Sequence, residues 1–450
     1  MKKIYDLVVI GAGPSGMTTA ISAARQGLEV LLIDKNSYPG GMNTAAMVSP
    51  LLTFHCGEQQ VIKGIAQEII DRLAKHNATL GHIPDPIGMA SSITPIDTEI
   101  LKIVYFEMLE ELPNITVLFD TVLYSVESSQ GIVKKVCVIN KSGSATYTGK
   151  MFVDSTGDGD LAAMAKAEFN IGRTKDGLCQ PMTLIFTVGG VELSKVIEYV
   201  ENNTEQFILN KNSDLNKYLA VSGFFEFVKQ AQENGDLNIP RDRVLFFQGI
   251  HPGEITVNMT RIIKLSGINA KDLSITQFEA HKQIMEIIEF FKKYIDGFQS
   301  CYIQKIANTT GVRESRRIKG KETLTIDNVI QNLESNESIA ICSYPIDIHD
   351  PNGMELNWLR KERACCYDIP FGVMVPIKFD NLLVTGRCIS ATHEAIASAR
   401  ISATAMAIGE AAGVAAGVCA KGDYNFNTIN IQEVQTVLNQ QGAIPGKKWL

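Results

Sequence analysis

Two stretches of the chain carry groups suited to chemistry. Near the start, Gly11-Ala12-Gly13-Pro14-Ser15-Gly16 follows an apolar run. Gly11 permits a tight turn, Gly13 lets a pyrophosphate approach the backbone, and Gly16 lets a following helix pack closely on the strand. Far downstream, GRCISATHEAIASAR spans residues 386–400 and leads into an Ala/Gly-rich stretch. It sets Arg387, His393 and Arg400 among small residues, either as a reactive centre or as the polar start of a buried helix.

The elements that would position these groups are readable. Ile4 to Ile10 is a β-branched apolar run suited to a buried strand. A helix-compatible stretch from Met17 to Gln26 ends at Gly27, and a second strand from Glu29 to Ile33 closes on Asp34. The helix N-terminus offers free N–H groups and a positive dipole end to phosphates. Asp34 stands where a carboxylate accepts ribose hydroxyls. This unit suits NAD and FAD alike, because both carry ADP. Three later features separate them. Pro39-Gly40-Gly41-Met42-Asn43 is a loop able to pass under an extended dinucleotide. Val153 to Asp160, VDSTGDGD, ends a strand and starts a helix, and Asn381 to Arg387, NLLVTGR, is a strand running into a glycine turn.

With these motifs the chain resembles the FAD-dependent oxidoreductases of the glutathione-reductase-like Rossmann superfamily, and within it the family related to fumarate reductase and succinate dehydrogenase flavoproteins. GAGPSG, IDK…PGG, DSTGDGD, GVRESRRIKG and LLVTGRCISATHEAIASAR carry the resemblance. It implies an α/β fold: an FAD-binding Rossmann-type parallel sheet with a three-stranded β-meander, plus an inserted α+β substrate domain. The implied FAD contacts begin with Gly11, Gly13, Pro14, Ser15, Gly16, Asp34 and Lys35, and continue through Gly41, Met42, Asn43 and Val122. Thr156, Gly157, Asp158, Gly386, Arg387, Ile401 and Ser402 complete them. His393 follows Gly386 by seven positions, the offset of a substrate-carboxylate histidine in fumarate-reductase-like proteins. By that resemblance His393 is a substrate ligand or proton donor and Arg400 an anion clamp. The alternative for both is structural: His393 caps a helix and Arg400 pairs with an acid such as Glu394 or Glu410. Arg387 departs from the pattern, since relatives place an acid there and guanidinium only donates. Arg313, Ser315 and Arg317 would share a face if their segment is a strand, which brings Arg313 to the flavin and an acidic substrate; pairing or solvation is expected for Arg316 and Arg317. His55, in LLTFHCG, does not match the covalent-attachment motif of relatives, so a non-covalent flavin is expected. A helix starting near Ala395 would aim backbone N–H groups around Arg400 to Ser402 at the pyrimidine end of the ring.

At 450 residues the chain is long enough for two or more domains, and 45% hydrophobic with 20% charged residues is the balance of a globular protein. The FAD-binding domain is assigned to 1–47, 93–169 and 367–430, the substrate cap to 48–92 and 170–366, and a closing helix and tail to 431–450. Helices are expected from Thr94 to Leu112, Leu193 to Asn202, Leu215 to Glu233, Thr276 to Tyr294 and Ile431 to Gln441. Net charge of −7 argues against a nucleic-acid partner. Nine irregularly spaced cysteines fit a reducing cytoplasm, and the vicinal Cys365-Cys366 reads as two small hydrophobes. The start is read as a strand rather than an export signal, and no membrane span or metal site is expected, since Arg400 and Glu410 interrupt the most apolar stretch.

The leading functional expectation is hydride transfer between a small organic, possibly carboxylate-bearing substrate and non-covalent FAD. With one dinucleotide motif visible, electrons would pass through a partner protein or transiently bound NAD(P)H. The alternatives are an FAD-binding RNA-modification protein, disfavoured by the lack of a basic face, and an electron-transfer flavoprotein without its own substrate.

Overall fold

A computed structural model describes residues 3–210, 213–351, 356–359, 366–422 and 424–450, with backbone alone for 356–359. Ile4–Ile10 forms strand β1, buried throughout from Leu7. Helix α1, Pro14–Arg25, follows with proline in its first turn, where a missing N–H costs nothing. Strand β2, Val30–Ile33, is wholly buried. It pairs in parallel with β1 on one side and with β3, Ile115–Leu118, on the other.

Three antiparallel strands come next: β4, Val122–Ser129; β5, Ile132–Asn140; and β6, Gly143–Asp154. The last is long enough to serve twice. Its first half pairs with β5, while Met151 to Asp154 lies in parallel beside β1. Strand β7, Leu382–Val384, adds to its other side. The meander is therefore continuous with the parallel sheet. Val133, Val136 and Val138 bury against Val8, Ile10, Leu31 and Ile33, so it covers one face.

The other face carries α1 and two late helices, α2, His393–Ala399, and α3, Ser402–Gly422. A single helix from Ala395 to Ala420 is the expectation; the chain instead breaks at Arg400 and Ile401 and restarts at Ser402. Helix α3 is long and apolar enough to cross a membrane, yet 89% of its most apolar window is buried inside the fold. Its small residues have a packing purpose. Gly409 lies so close to α1 that a Cβ would collide with the Ser15 carbonyl and the Thr18 hydroxyl, and one at Gly413 with Thr19 and Ser22. Three hydroxyls of α1 then donate across the gap: Thr18 to the Met406 carbonyl at 2.7 Å, Thr19 to Gly409 at 2.9 Å and Ser22 to Glu410 at 2.9 Å.

A second, five-stranded antiparallel sheet has the order Ala220–Gly223, Val244–Gln248, Ile255–Val257, Phe186–Gly189, Tyr302–Ile306. With the helix Ala270–Tyr294 it encloses a separate core that includes Phe246, Phe290, Phe291 and Phe298. Residues 48–92, assigned to the cap, pack both ways: Ile87 buries with Tyr218 and with Ala220 and Phe247 of this sheet, while the helix Ile65–Lys75 buries Ile65, Ile69, Ile70 and Leu73 with α1 and α3.

Other local expectations shift for physical reasons. The stretch from Leu215 to Glu233 splits into the strand Ala220–Gly223 and a helix Phe225–Glu233, because Phe224 takes a left-handed conformation between them. The helix expected from Thr94 starts at Thr98, with the Asp97 carboxylate capping the Glu99 and Ile100 N–H groups at 2.8 and 3.2 Å. Thr94 itself ends a short strand. The closing helix is Ile431–Gln440, with Gly442 at φ +83° just past it. Cys365 lies outside the described residues.

Gly409→Val would force α1 and α3 apart. Chemical denaturation should register a loss of about 1–3 kcal/mol, and an unchanged midpoint would show that the approach is not tight.

Candidate functional site

One cavity of about 610 Å³ runs from the first glycine turn to the antiparallel sheet. At its first end Gly11 has φ +99°, a conformation that favours glycine. A Cβ at Gly16 would strike the Gly11 carbonyl, so this glycine keeps α1 tight on the turn and lies behind the cavity wall. At Gly13 a Cβ would meet nothing within 4 Å. That free space above the N-terminus of α1 is where a side chain would displace a bound phosphate. Pro14 and Ser15 line the same end.

Asp34 follows β2 at the cavity edge, beside Lys35 and Val122. Its Oδ2 accepts the Ala12 N–H at 2.5 Å and its Oδ1 the Asn36 N–H at 2.7 Å. Burial raises its pKa above the ordinary carboxylate range, and these N–H groups oppose the shift. Its oxygens retain lone pairs for further donors. Gly41 and Met42 line the middle of the cavity, with Gly41 against the Gly13 backbone. Asn43 is buried outside the lining, where its amide donates to Ser402 Oγ at 3.0 Å and the Val48 carbonyl at 3.1 Å. It ties the loop after β2 to the start of α3.

Thr156, Gly157 and Asp158 meet Gly386 and Arg387 along another wall. Arg387, the departure from the family pattern, has a definite place. Its guanidinium donates to Asp158 Oδ1 at 2.8 Å and to Ser315 Oγ at 2.6 Å. Burial would raise the Asp158 pKa, but the Arg387 charge and hydrogen bond outweigh it and leave the carboxyl below its usual range. Ile401 and Ser402 bring the N-terminus of α3 to the wall, where its first N–H groups have no intrahelical acceptor.

The three residues expected to do chemistry separate. Arg313 and Arg400 line the cavity, whereas His393 does not. At the first position of α2, His393 turns its Nδ1 to the Glu314 carboxylate, 2.8 Å away. Glu314 is fully buried; it also pairs with Arg317 and accepts the Gln180 N–H at 3.1 Å. One buried carboxylate thus holds both His393 and Arg317, away from the cavity. Only Arg316–Ile318 is a strand in GVRESRRIKG, so Arg313, Ser315 and Arg317 do not share a strand face. Arg316 pairs with Asp160 at 2.8 Å. Arg313 donates instead to the Pro181 carbonyl at 2.7 Å and Thr183 Oγ1 at 2.5 Å, both neutral acceptors.

Around Arg313 and Arg400 stand groups that motif reading missed: Arg241, Tyr344, Asp347 and His349. Strand Ile346–His349 places Asp347 and His349 on one face, a period-two signal present in the sequence. Asp347 Oδ2 accepts from Tyr344 Oη at 3.1 Å, from His349 Nε2 at 3.2 Å and from Arg400 Nη2 at 3.4 Å. Burial opposes its charge, but His349, Arg400 and Arg313 hold the carboxyl far below the usual range. Burial also drives His349 down to about 3, so the ring is neutral. Its Nε2–H then donates to Asp347, and Nδ1 accepts from Arg261 Nη1 at 3.2 Å. Arg313 is pulled well below its ordinary value by burial and by the Arg400 and Arg261 charges. This end of the cavity is an electropositive, hydrogen-bonding chamber.

Comparison with known proteins bears on the family and the fold. The profile of the family described as "FAD dependent oxidoreductase" matches residues 6–438. Thioredoxin reductase of Ureaplasma parvum serovar 3 is 50% identical over 40 residues, 9% of this chain and 13% of that protein. Digeranylgeranylglycerophospholipid reductase of Methanosarcina acetivorans is 58% identical over 40 residues, 9% of this chain and 10% of that protein. The matched segments thus span only about a tenth of those relatives. A geranylgeranyl bacteriochlorophyll reductase-like protein from Thermoplasma acidophilum shares the fold at TM-score 0.52 and 13% identity, over 98% of this chain and 84% of that one.

Glu314→Ala would leave Arg317 and His393 without their buried acceptor. A stability loss of about 3–5 kcal/mol is expected in denaturant titration. His393→Gln should cost less and leave turnover intact; a slowed turnover at unchanged stability would return His393 to the chemistry.

Proposed function

The chain belongs to the FAD-dependent oxidoreductase family, and we propose that it transfers hydride between a small carboxylate-bearing substrate and non-covalently held FAD. The observation carrying this reading is the single cavity joining Gly13 and Asp34 to Arg313 and Arg400. When bound, FAD supplies a hydride acceptor and donor. The open space at Gly13 and the N-terminus of α1 suit the pyrophosphate, and Asp34 suits the adenosine ribose. The N–H groups at Ile401 and Ser402 would stabilise negative charge at the pyrimidine end of the ring, with Asn43 fixing that helix start through Ser402 Oγ.

At the other end, Arg313 and Arg400 bind the substrate carboxylate. Asp347 fixes the Arg400 guanidinium, and the Pro181 carbonyl and Thr183 hydroxyl fix that of Arg313. Neutral His349 and Tyr344 hold Asp347 ionised without adding charge. This lining favours an enzyme with its own substrate over a pure electron carrier. Electrons would be exchanged with a partner protein or with NAD(P)H entering the same cavity. Eight described cysteines, all as free thiols, support a reducing cytoplasm as the setting.

Purified protein should be yellow, and acid should release its FAD; flavin that stays with the precipitate would overturn the non-covalent reading. Gly13→Val should abolish FAD binding, measured by the flavin-to-protein absorbance ratio. Arg400→Gln and Arg313→Gln should retain FAD while weakening a carboxylate ligand about 10- to 100-fold. Unchanged affinity in both variants would reject the arginine clamp.

A further inference from the structure

Among the described residues, Arg241 is the one guanidinium at the electropositive end with no visible purpose in the fold. It lines the cavity and is 6% exposed. Among the described residues its side chain makes no hydrogen bond or ion pair; only burial and the charges of neighbours act on it. The carboxylates in reach are engaged. Asp242 is held by both arms of Arg243, at 2.8 and 2.7 Å, and Asp347 by Tyr344, His349 and Arg400. Arg241 is correspondingly pulled down to about 9 by burial and by the Arg261 and Arg243 charges.

A buried charge without a partner is strongly unfavourable, so such a group is retained where something else neutralises it. Arg241, Arg313 and Arg400 face the chamber against one lining carboxylate, Asp347. Among the described residues the chamber's lining thus holds more guanidinium than carboxylate, since Arg243, also in the lining, is already paired with Asp242. One substrate carboxylate at Arg313 and Arg400 would leave the Arg241 charge uncompensated. We propose that Arg241 forms a second anion subsite, and that the substrate carries two anionic groups, one on the Arg313/Arg400 clamp and one on Arg241. This rests on the carboxylate clamp of the proposed function and adds the second charge to it. Guanidinium recognises carboxylate and phosphate alike, through paired N–H donors. Arg241 is here a specificity-determining residue, discriminating dianions from monoanions.

The test uses the FAD-loaded enzyme and follows perturbation of the flavin absorption spectrum by three probes: valerate, a monocarboxylate; glutarate, a dicarboxylate of equal chain length; and phosphonopropionate, which pairs a carboxylate with a phosphonate. The wild type should bind glutarate or phosphonopropionate about 10- to 100-fold more tightly than valerate. The stronger of the two identifies the chemistry of the second group. Arg241→Gln should abolish that preference, with valerate affinity and FAD content unchanged. Equal affinity for all three probes in the wild type overturns the proposal, as does failure to bind any of them at tens of millimolar. A preference that survives Arg241→Gln overturns it too. The clamp is judged separately: if Arg313→Gln and Arg400→Gln leave valerate affinity unchanged, the carboxylate reading fails whatever Arg241 does.

Discussion

The close approach of α1 and α3 is the constraint on which the site depends. The two helices lie at opposite ends of the chain, and glycines with hydroxyl bridges let their backbones nearly touch. Because α1 begins at the open space over Gly13, fixing α3 against it also fixes the α3 N-terminus at Ile401 and Ser402. Two helix N-termini therefore face one cavity from residues almost four hundred positions apart. Hydroxyl-to-carbonyl bonds suit this contact, since they hold helix register in a gap too narrow for larger side chains. The apolar, small-residue character of α3 follows from the same demand, and 89% of its most apolar window is buried.

The break before α3 matters as much as the packing. A continuous helix would bury the N–H groups of Ile401 and Ser402 in intrahelical bonds, as the Arg400 N–H is by the Ile396 carbonyl at 3.1 Å. Ending α2 at Ala399 exposes new donors at the cavity and lets Arg400 turn towards Asp347. Thr392 caps α2 by accepting the Ala395 N–H at 3.2 Å, which gives the short helix a defined start. Asn43 then links the break to the loop after β2. The polar residues of GRCISATHEAIASAR thus have three destinations: Arg387 to Asp158, His393 to Glu314 and Arg400 to Asp347.

Much of the nucleotide-binding half was legible because it rests on local rules. Strand, glycine turn, helix, strand and acid follow one another within about thirty residues, and each residue type has one steric or hydrogen-bonding reason to be there. The substrate end follows no such rule. Arg241, Arg313, Asp347 and Arg400 come from four separated segments, and only tertiary packing brings them to one chamber. Spacing from Gly386 drew attention to His393, but spacing along a chain does not encode which way a ring turns. The buried Glu314 carboxylate decides that, from 79 positions away. The break at Arg400 was hidden for a related reason: alanine-rich sequence on both sides favours helix, and the interruption is imposed by tertiary contacts.

The two ends of the cavity solve opposite electrostatic problems. At the phosphate end, negative charge is met mainly by backbone N–H dipoles, and the charged side chains there are already balanced, Arg387 by Asp158 and Arg316 by Asp160. Dipoles carry no net charge, so this end needs no counterion when empty. At the other end the protein places formal charges instead. Asp347 compensates part of that charge, and its hydrogen bonds to Tyr344 and His349 let it do so while buried. Replacing His349 by a further cation would add to the guanidiniums already there, while replacing it by an apolar residue would leave Asp347 one donor short. Its neutral ring meets both demands at once, donating to a carboxylate and accepting from Arg261. Arg313 and Arg400 are thus held in position before any ligand arrives, the first by the Pro181 carbonyl and Thr183 hydroxyl and the second by Asp347.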